Sequence, residues 1–196
     1  NDIQERIDAE VKLPEGYHVE MGGQFESEQA ASRTLLIASL MSIVVIFLLI
    51  YTEFKNAAQS AVILLNLPLA LIGGVFALLI TSGEVSIPAI IGFISLFGIA
   101  TRNGMLLIGR YNNLRAEGGS LRESIVHGSL DRLNPILMTA LTSALALIPL
   151  AFRGDLPGNE IQSPMAKVIL GGLLTSTFLN AFIIPIVYEL MNRKKK

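Results

Sequence analysis

The chain has 196 residues, of which 52% are hydrophobic and only 16% charged, with a formal net charge of −1. A soluble domain usually carries about 25% charged residues. With no basic stripe or aromatic platform, nucleic acid is excluded as a partner. With no cysteine, disulfide frameworks and thiolate metal sites are excluded as well.

The first residues, Asn1–Leu13, are charged and polar, unlike a secretory signal. No initiator Met opens the sequence, and we read it as a segment from inside a longer protein. Asp2–Lys12 has Ile3, Ile7 and Val11 at helical spacing. Pro14-Glu15-Gly16 breaks that helix, Tyr17–Met21 alternates like a short strand, and Gly22-Gly23 ends it. One helix and one strand cannot close a core. Residues 1–28 are therefore expected to be an α/β arm that completes a domain lying elsewhere, with Ser27–Arg33 continuing as a polar helix into the first span.

A bilayer core of about 30 Å needs roughly 20 apolar residues in a helix. Five stretches qualify: Leu35–Tyr51, Ala57–Ile80, Ile87–Gly109, Pro135–Phe152 and Met165–Leu190. They predict an all-α polytopic membrane protein, with residues 29–196 as its transmembrane domain. Prolines and glycines inside the spans are tolerated where neighbouring helices satisfy the freed backbone groups. Between the third and fourth spans, Ser120 and Glu123 have the spacing of a capping box. Leu121, Ile125, Val126 and Leu130 then mark an apolar face, predicting a surface-lying amphipathic helix over about 120–132.

Basic residues set the orientation. Lys55, then Arg110, Arg115, Arg122 and Arg132, then Arg193–Lys196 all fall on one side. That side is expected to be cytoplasmic, with the C-terminus, and the N-terminal arm lies on the opposite face.

A charge inside a span is a functional-site hypothesis by default. Arg102 is the one well inside a span, with no acid deep in any of the five to pair with it. Ser95, Gly98, Arg102 and Gly109 fall on one helical face, whose small residues permit close packing against protein. Arg102 either snorkels to the headgroups or pairs with a carboxylate from helices outside this chain. Asn103, Asn66 and Asn180 are read as hydrogen-bonded bridges between helices. Thr139 and Thr142, with Ala146, line one face of the fourth span. Gly172, Ser176 and Asn180 line one face of the fifth. These faces serve packing first and proton movement second. Met41, Met105, Met138 and Met165 lie on four spans without clustered spacing, so no metal site is expected. No phosphate-binding loop, nucleophile–base arrangement or HExxH occurs, so neither an enzyme nor a cofactor is expected.

Five blocks in order carry a resemblance: GGQFESEQ, LLNLPLALIGG, GFISLFGIATRNGMLLI, RLNPILMTALTSALALIPLA and GNEIQSPMAKVILGGLLTSTFLNAFIIPIVYEL. Together they closely resemble the C-terminal end of resistance-nodulation-division efflux pumps, heavy-metal (CzcA/CusA-like) branch. The resemblance implies that the five spans are helices 8–12 of a twelve-helix pump and that the arm ends a periplasmic porter subdomain. It implies partners too: helices 1–7 and the porter and docking domains of the same pump, a homotrimer, a periplasmic adaptor and an outer-membrane channel, with the pump itself in the inner membrane of a Gram-negative cell. Proton influx would drive heavy-metal cations out. The main proton-binding acids would sit on the fourth helix, facing the third span here, and Arg102 or Asn103, with Thr139 and Thr142, would be this chain's part of the relay. The copper/silver branch has a glutamate and a lysine where this chain has Arg102 and Ile136, which favours a divalent cation. The multidrug branch is the alternative within transport, and a non-transporting membrane assembly subunit the alternative outside it.

Overall fold

The fold is described from a computed structural model, which describes residues 24–81, 85–154, 158–159 and 161–193. Among these residues every regular element is a helix. In chain order they are α1 (Gln24–Phe54), α2 (Ala57–Thr81), α3 (Ile87–Ala116), α4 (Leu121–Phe152) and α5 (Gln162–Arg193). All five are long and apolar enough to cross a membrane. The predicted helix and strand of the N-terminal arm fall outside the described residues, and α1 already runs as helix from Gln24.

Local sequence explains the breaks between helices. Lys55 takes a left-handed conformation, φ 48°. The Asn56 side chain then accepts the backbone N–H groups of Ala58 and Gln59, capping α2. The Ser86 hydroxyl accepts the Ala89 N–H, with Pro88 in the first turn of α3, where a missing N–H costs nothing. Gly118, at φ 97°, turns the chain out of α3. The capping box is present: Ser120 Oγ accepts from Glu123 N, and the Glu123 carboxylate accepts from Ser120 N at 3.2 Å.

One expectation changes here. The surface helix over about 120–132 and the span from Pro135 are a single continuous helix. Pro135 is accommodated inside it. The turns before it are pinned to α3, by Tyr111 Oη to Ser129 Oγ at 2.6 Å and by Arg110 to Asp131 at 2.7 Å. Ile125 and Gly128 are buried, and a Cβ on Gly128 would stand 2.6 Å from the Tyr111 ring. Half of the predicted apolar face thus packs on protein, leaving Val126 and Leu130 exposed.

The helices pack through small residues, because lipid tails leave no hydrophobic drive between apolar helices and close van der Waals contact must hold them. The closest approach is between α2 and α5, where a Cβ on Gly73 would stand 2.5 Å from the Gly171 carbonyl oxygen. A Cβ on Gly172 would meet the Ala70 carbonyl at 3.0 Å. On α3, Gly92 lies under Val168, and Gly104 lies against Asn66 and Ile63. α5 touches α2, α3 and α4, while α3 touches all four other helices. α1 is attached by Ile43, Ile46, Ile50 and Phe54 and is otherwise open.

Most polar bonds between the described helices gather at one end, opposite the end where the Ser163 hydroxyl donates to the Ala151 carbonyl at 3.2 Å and joins α5 to α4. Gln59 and Asn112 exchange two amide hydrogen bonds, 3.2 and 3.0 Å, and Tyr188 Oη donates to Asn112 Oδ1 at 2.7 Å. Arg115 donates to Asn192 Oδ1 at 2.8 Å. This end, carrying Lys55, Arg110, Arg115, Arg132 and Arg193, is called the basic end below.

Candidate functional site

The site is built on the side of α3 that α2 and α5 leave open. Ser95, Gly98, Arg102 and Leu106 follow one another along that side, all exposed. A Cβ on Gly98 or Gly109 would have nothing within 4 Å. Among the described residues no helix packs closely on Gly98 or Gly109, and α4 borders the open space beside both. Gly104, Thr101 and Leu107 are on the buried side instead.

Arg102 reaches from this face into a small cavity of about 140 Å³ between α3 and α4, lined by Gly98, Ile99, Arg102, Asn103, Thr139, Ser143 and Leu173. Three of the four relay candidates thus come together. Asn103 is 5% exposed, and the Thr139 hydroxyl donates to the Ile136 carbonyl at 2.9 Å, leaving its lone pairs for the cavity. Thr142 is not brought in. It is exposed, with its hydroxyl donating to the Met138 carbonyl at 2.8 Å. Ser143, which the sequence did not single out, takes its place in the lining. Among the described residues Arg102 meets no carboxylate within ion-pair distance.

Asn66, Asn180 and Ser176 are elsewhere, in the packed core of α2, α3 and α5, at 2%, 0% and 1% exposure. Ser176 is read from the sequence as part of a packing face, and it is buried there, donating to the Leu173 carbonyl of its own helix at 3.2 Å. Asn66 and Asn180 are the two read as hydrogen-bonded bridges between helices. Asn66 Nδ2 and both polar atoms of the Asn180 amide have no partner among the described residues. The bridging role falls to Asn112, which sits where α2, α3 and α5 converge at the basic end.

A second, more polar cleft of about 390 Å³ opens at the basic end, lined by Glu53 and Phe54 of α1, by Met105, Leu106, Gly109, Arg110, Asn112 and Asn113 of α3, and by Arg132 of α4. Arg132 Nε is buried with no hydrogen-bond partner. The neighbouring guanidinium differs. Arg110 Nε and Nη2 both contact Asp131 Oδ2, at 2.9 and 2.7 Å.

Cavity and cleft lie on one line. Gly109 is two turns beyond Arg102 on α3, and Arg132 is two turns before Thr139 on α4, so each pair is about 10 Å apart along its helix axis. Arg132 was counted in the sequence only as an orientation charge. Its spacing from Thr139 was the signal that could have found it, once the two flanking stretches were known to be one helix. Among the described residues no group of three or more His, Cys, Asp or Glu side chains stands close enough to hold a metal.

Five long apolar helices packed side by side define a polytopic helical bundle able to cross a membrane. The chain belongs to the AcrB/AcrD/AcrF family, which it matches over residues 1–192. It is 40% identical, over its whole length and 18% of the relative, to the nickel-cobalt-cadmium resistance protein NccA of Alcaligenes xylosoxydans xylosoxydans. To the cobalt-zinc-cadmium resistance protein CzcA of Cupriavidus metallidurans it is 38% identical over 96% of its length and 18% of that protein. A crystal structure of a heavy metal efflux pump superposes with TM-score 0.84 and 38% identity, over 98% of this chain and 19% of that one. The chain thus spans less than a fifth of the relatives it matches.

Proposed function

We propose that this chain is the C-terminal transmembrane part of a proton-driven resistance-nodulation-division pump that exports heavy-metal cations, with divalent ions as the substrate class. Similarity along the whole chain to nickel-, cobalt-, zinc- and cadmium-resistance proteins supports the substrate class. The basic end is cytoplasmic, by the distribution of arginine and lysine. The pump sits in the inner membrane of a Gram-negative cell and works as a homotrimer with a periplasmic adaptor and an outer-membrane channel. Residues 1–28 end a periplasmic porter subdomain.

One observation carries the mechanism: Arg102 lines a cavity with Asn103, Thr139 and Ser143, and among the described residues it meets no carboxylate. A charge at that depth costs about 3 kcal/mol unless it is paired or hydrated. The helices that complete the pump cover the face and bring a carboxylate to Arg102. While the carboxylate is ionised, the ion pair holds the two halves together. Protonation from the periplasmic side removes the attraction, and the halves shift. Thr139, Ser143 and Asn103 supply the hydroxyl and amide groups that carry the proton past Arg102. The cleft at Arg132 gives it an exit to the cytoplasm.

The test is Arg102→Met in the full-length pump. Metal resistance is lost while trimer assembly, followed by size-exclusion chromatography, is kept. Normal resistance in this variant would leave Arg102 only a headgroup-seeking role.

A further inference from the structure

Two guanidinium groups line the cleft at the basic end, and among the described residues only one of them lacks a partner. Arg110 spends both of its contacts on Asp131, which lies just outside the cleft lining. Arg132 follows Asp131 directly in α4, yet its Nε stays unpaired. Successive residues on a helix point about 100° apart, so Asp131 is turned toward α3 and Arg132 toward the cleft. Glu53 shares the cleft from α1 but stands beyond ion-pair distance of either arginine.

We propose that Arg110 and Asp131 are positioning residues for Arg132. The pair neutralises the nearer guanidinium and its carboxylate together, and so leaves Arg132 as the single uncompensated cation at this point of the path. The two opposite charges stand 2.7 Å apart, well inside the salt-screening length of about 8–10 Å, so each cancels most of the other's field at the cleft. Removing Asp131 would put a second free cation in the cleft. Removing Arg110 would leave a free carboxylate beside Arg132. Either change alters the charge that a departing proton meets. This inference rests on the reading that the cations between α3 and α4 take part in coupling.

The experiment compares Arg110→Ala, Asp131→Asn and the double variant in the full-length pump, reconstituted in liposomes and read by zinc-dependent proton flux. Each single variant lowers the flux about tenfold. The double variant, which restores the charge balance without restoring the ion pair, recovers most of the loss. A merely mechanical clasp between α3 and α4 predicts the opposite, since the double variant lacks the clasp as fully as either single one. A double variant as impaired as the singles overturns the proposal, and so do single variants that pump normally. Arg132→Met is run beside them. Normal flux from it would remove the coupling reading itself and this inference with it, whereas a dead Arg132→Met with unaffected single variants would remove the pair's role alone.

Discussion

Arg102 and Asn180 show how differently two polar side chains fare in an apolar helix. Arg102 lies beside open space and the small residues Gly98 and Ser143. Asn180 is sealed among α2, α3 and α5 with both amide atoms unpaired, a state that costs about 1–3 kcal/mol per lost partner. What holds it there is the backbone contact of α2 with α5, which admits only glycine at Gly73, Gly171 and Gly172. A Cβ at Gly171 would meet the Gly73 carbonyl at 2.5 Å, and backbone cannot move aside as a side chain can. Gly171→Val is therefore expected to destabilise this chain in detergent by about 2 kcal/mol, through overpacking. Gly109→Ala, with nothing within 4 Å, is expected to cost nothing or to stabilise through helix propensity. Thermal unfolding of both variants checks the contrast, and equal losses would show that the closed α2–α5 contact or the open side of α3 at Gly109 is wrongly assigned.

At the scale of elements, α4 is the informative helix. Its outer part is a lipid-style surface with Leu137, Met138, Leu141 and Leu145 exposed, and its first turns are polar and pinned to α3. The sequence made the Ser120 cap legible but not the continuity through Pro135, because a proline after a polar run reads as a boundary. Tertiary bonds from Tyr111 and Arg110 decide the matter, and those depend on side chains eighteen and twenty-one residues away. The cap lies about four turns before the apolar stretch and has its own pH dependence. Hydrogen bonds from the Ser120 hydroxyl, and then from its backbone N–H, hold the Glu123 carboxyl below the usual carboxylate range. A depressed folded pKa contributes stability above the unfolded value and loses it as pH falls through the folded one. Glu123→Gln is therefore expected to lower the melting temperature at neutral pH, and the difference from the parent should vanish in acid, below the folded pKa of Glu123. A difference that persists there would mean that the cap acts without the ionised carboxylate. Ser120→Ala removes the hydroxyl that accepts the Glu123 N–H and is expected to cost about 1 kcal/mol at neutral pH.

For the whole molecule, the number of spans was legible because length and apolar content alone define them. The packing was not, because each helix is apolar nearly all round and gives no stripe to read. Only its small residues mark the contacts, and Gly98 and Gly172 look alike in sequence although one faces open space and the other the Ala70 backbone. That difference yields a test of the whole assembly. If Gly98, Arg102 and Gly109 face the rest of a pump, a cysteine at Gly98 should react readily with a membrane-permeant maleimide when this chain is expressed alone. The same cysteine in the full-length pump should be protected, while one at Leu145, on the exposed side of α4, should react less differently between the two. The chain alone, with Arg102 unpartnered, should also carry no zinc-dependent proton flux in liposomes. Equal labelling of the Gly98 cysteine in both forms would mean that lipid, not protein, covers the Arg102 face, and the carboxylate partner on which the coupling scheme depends would have no place to come from.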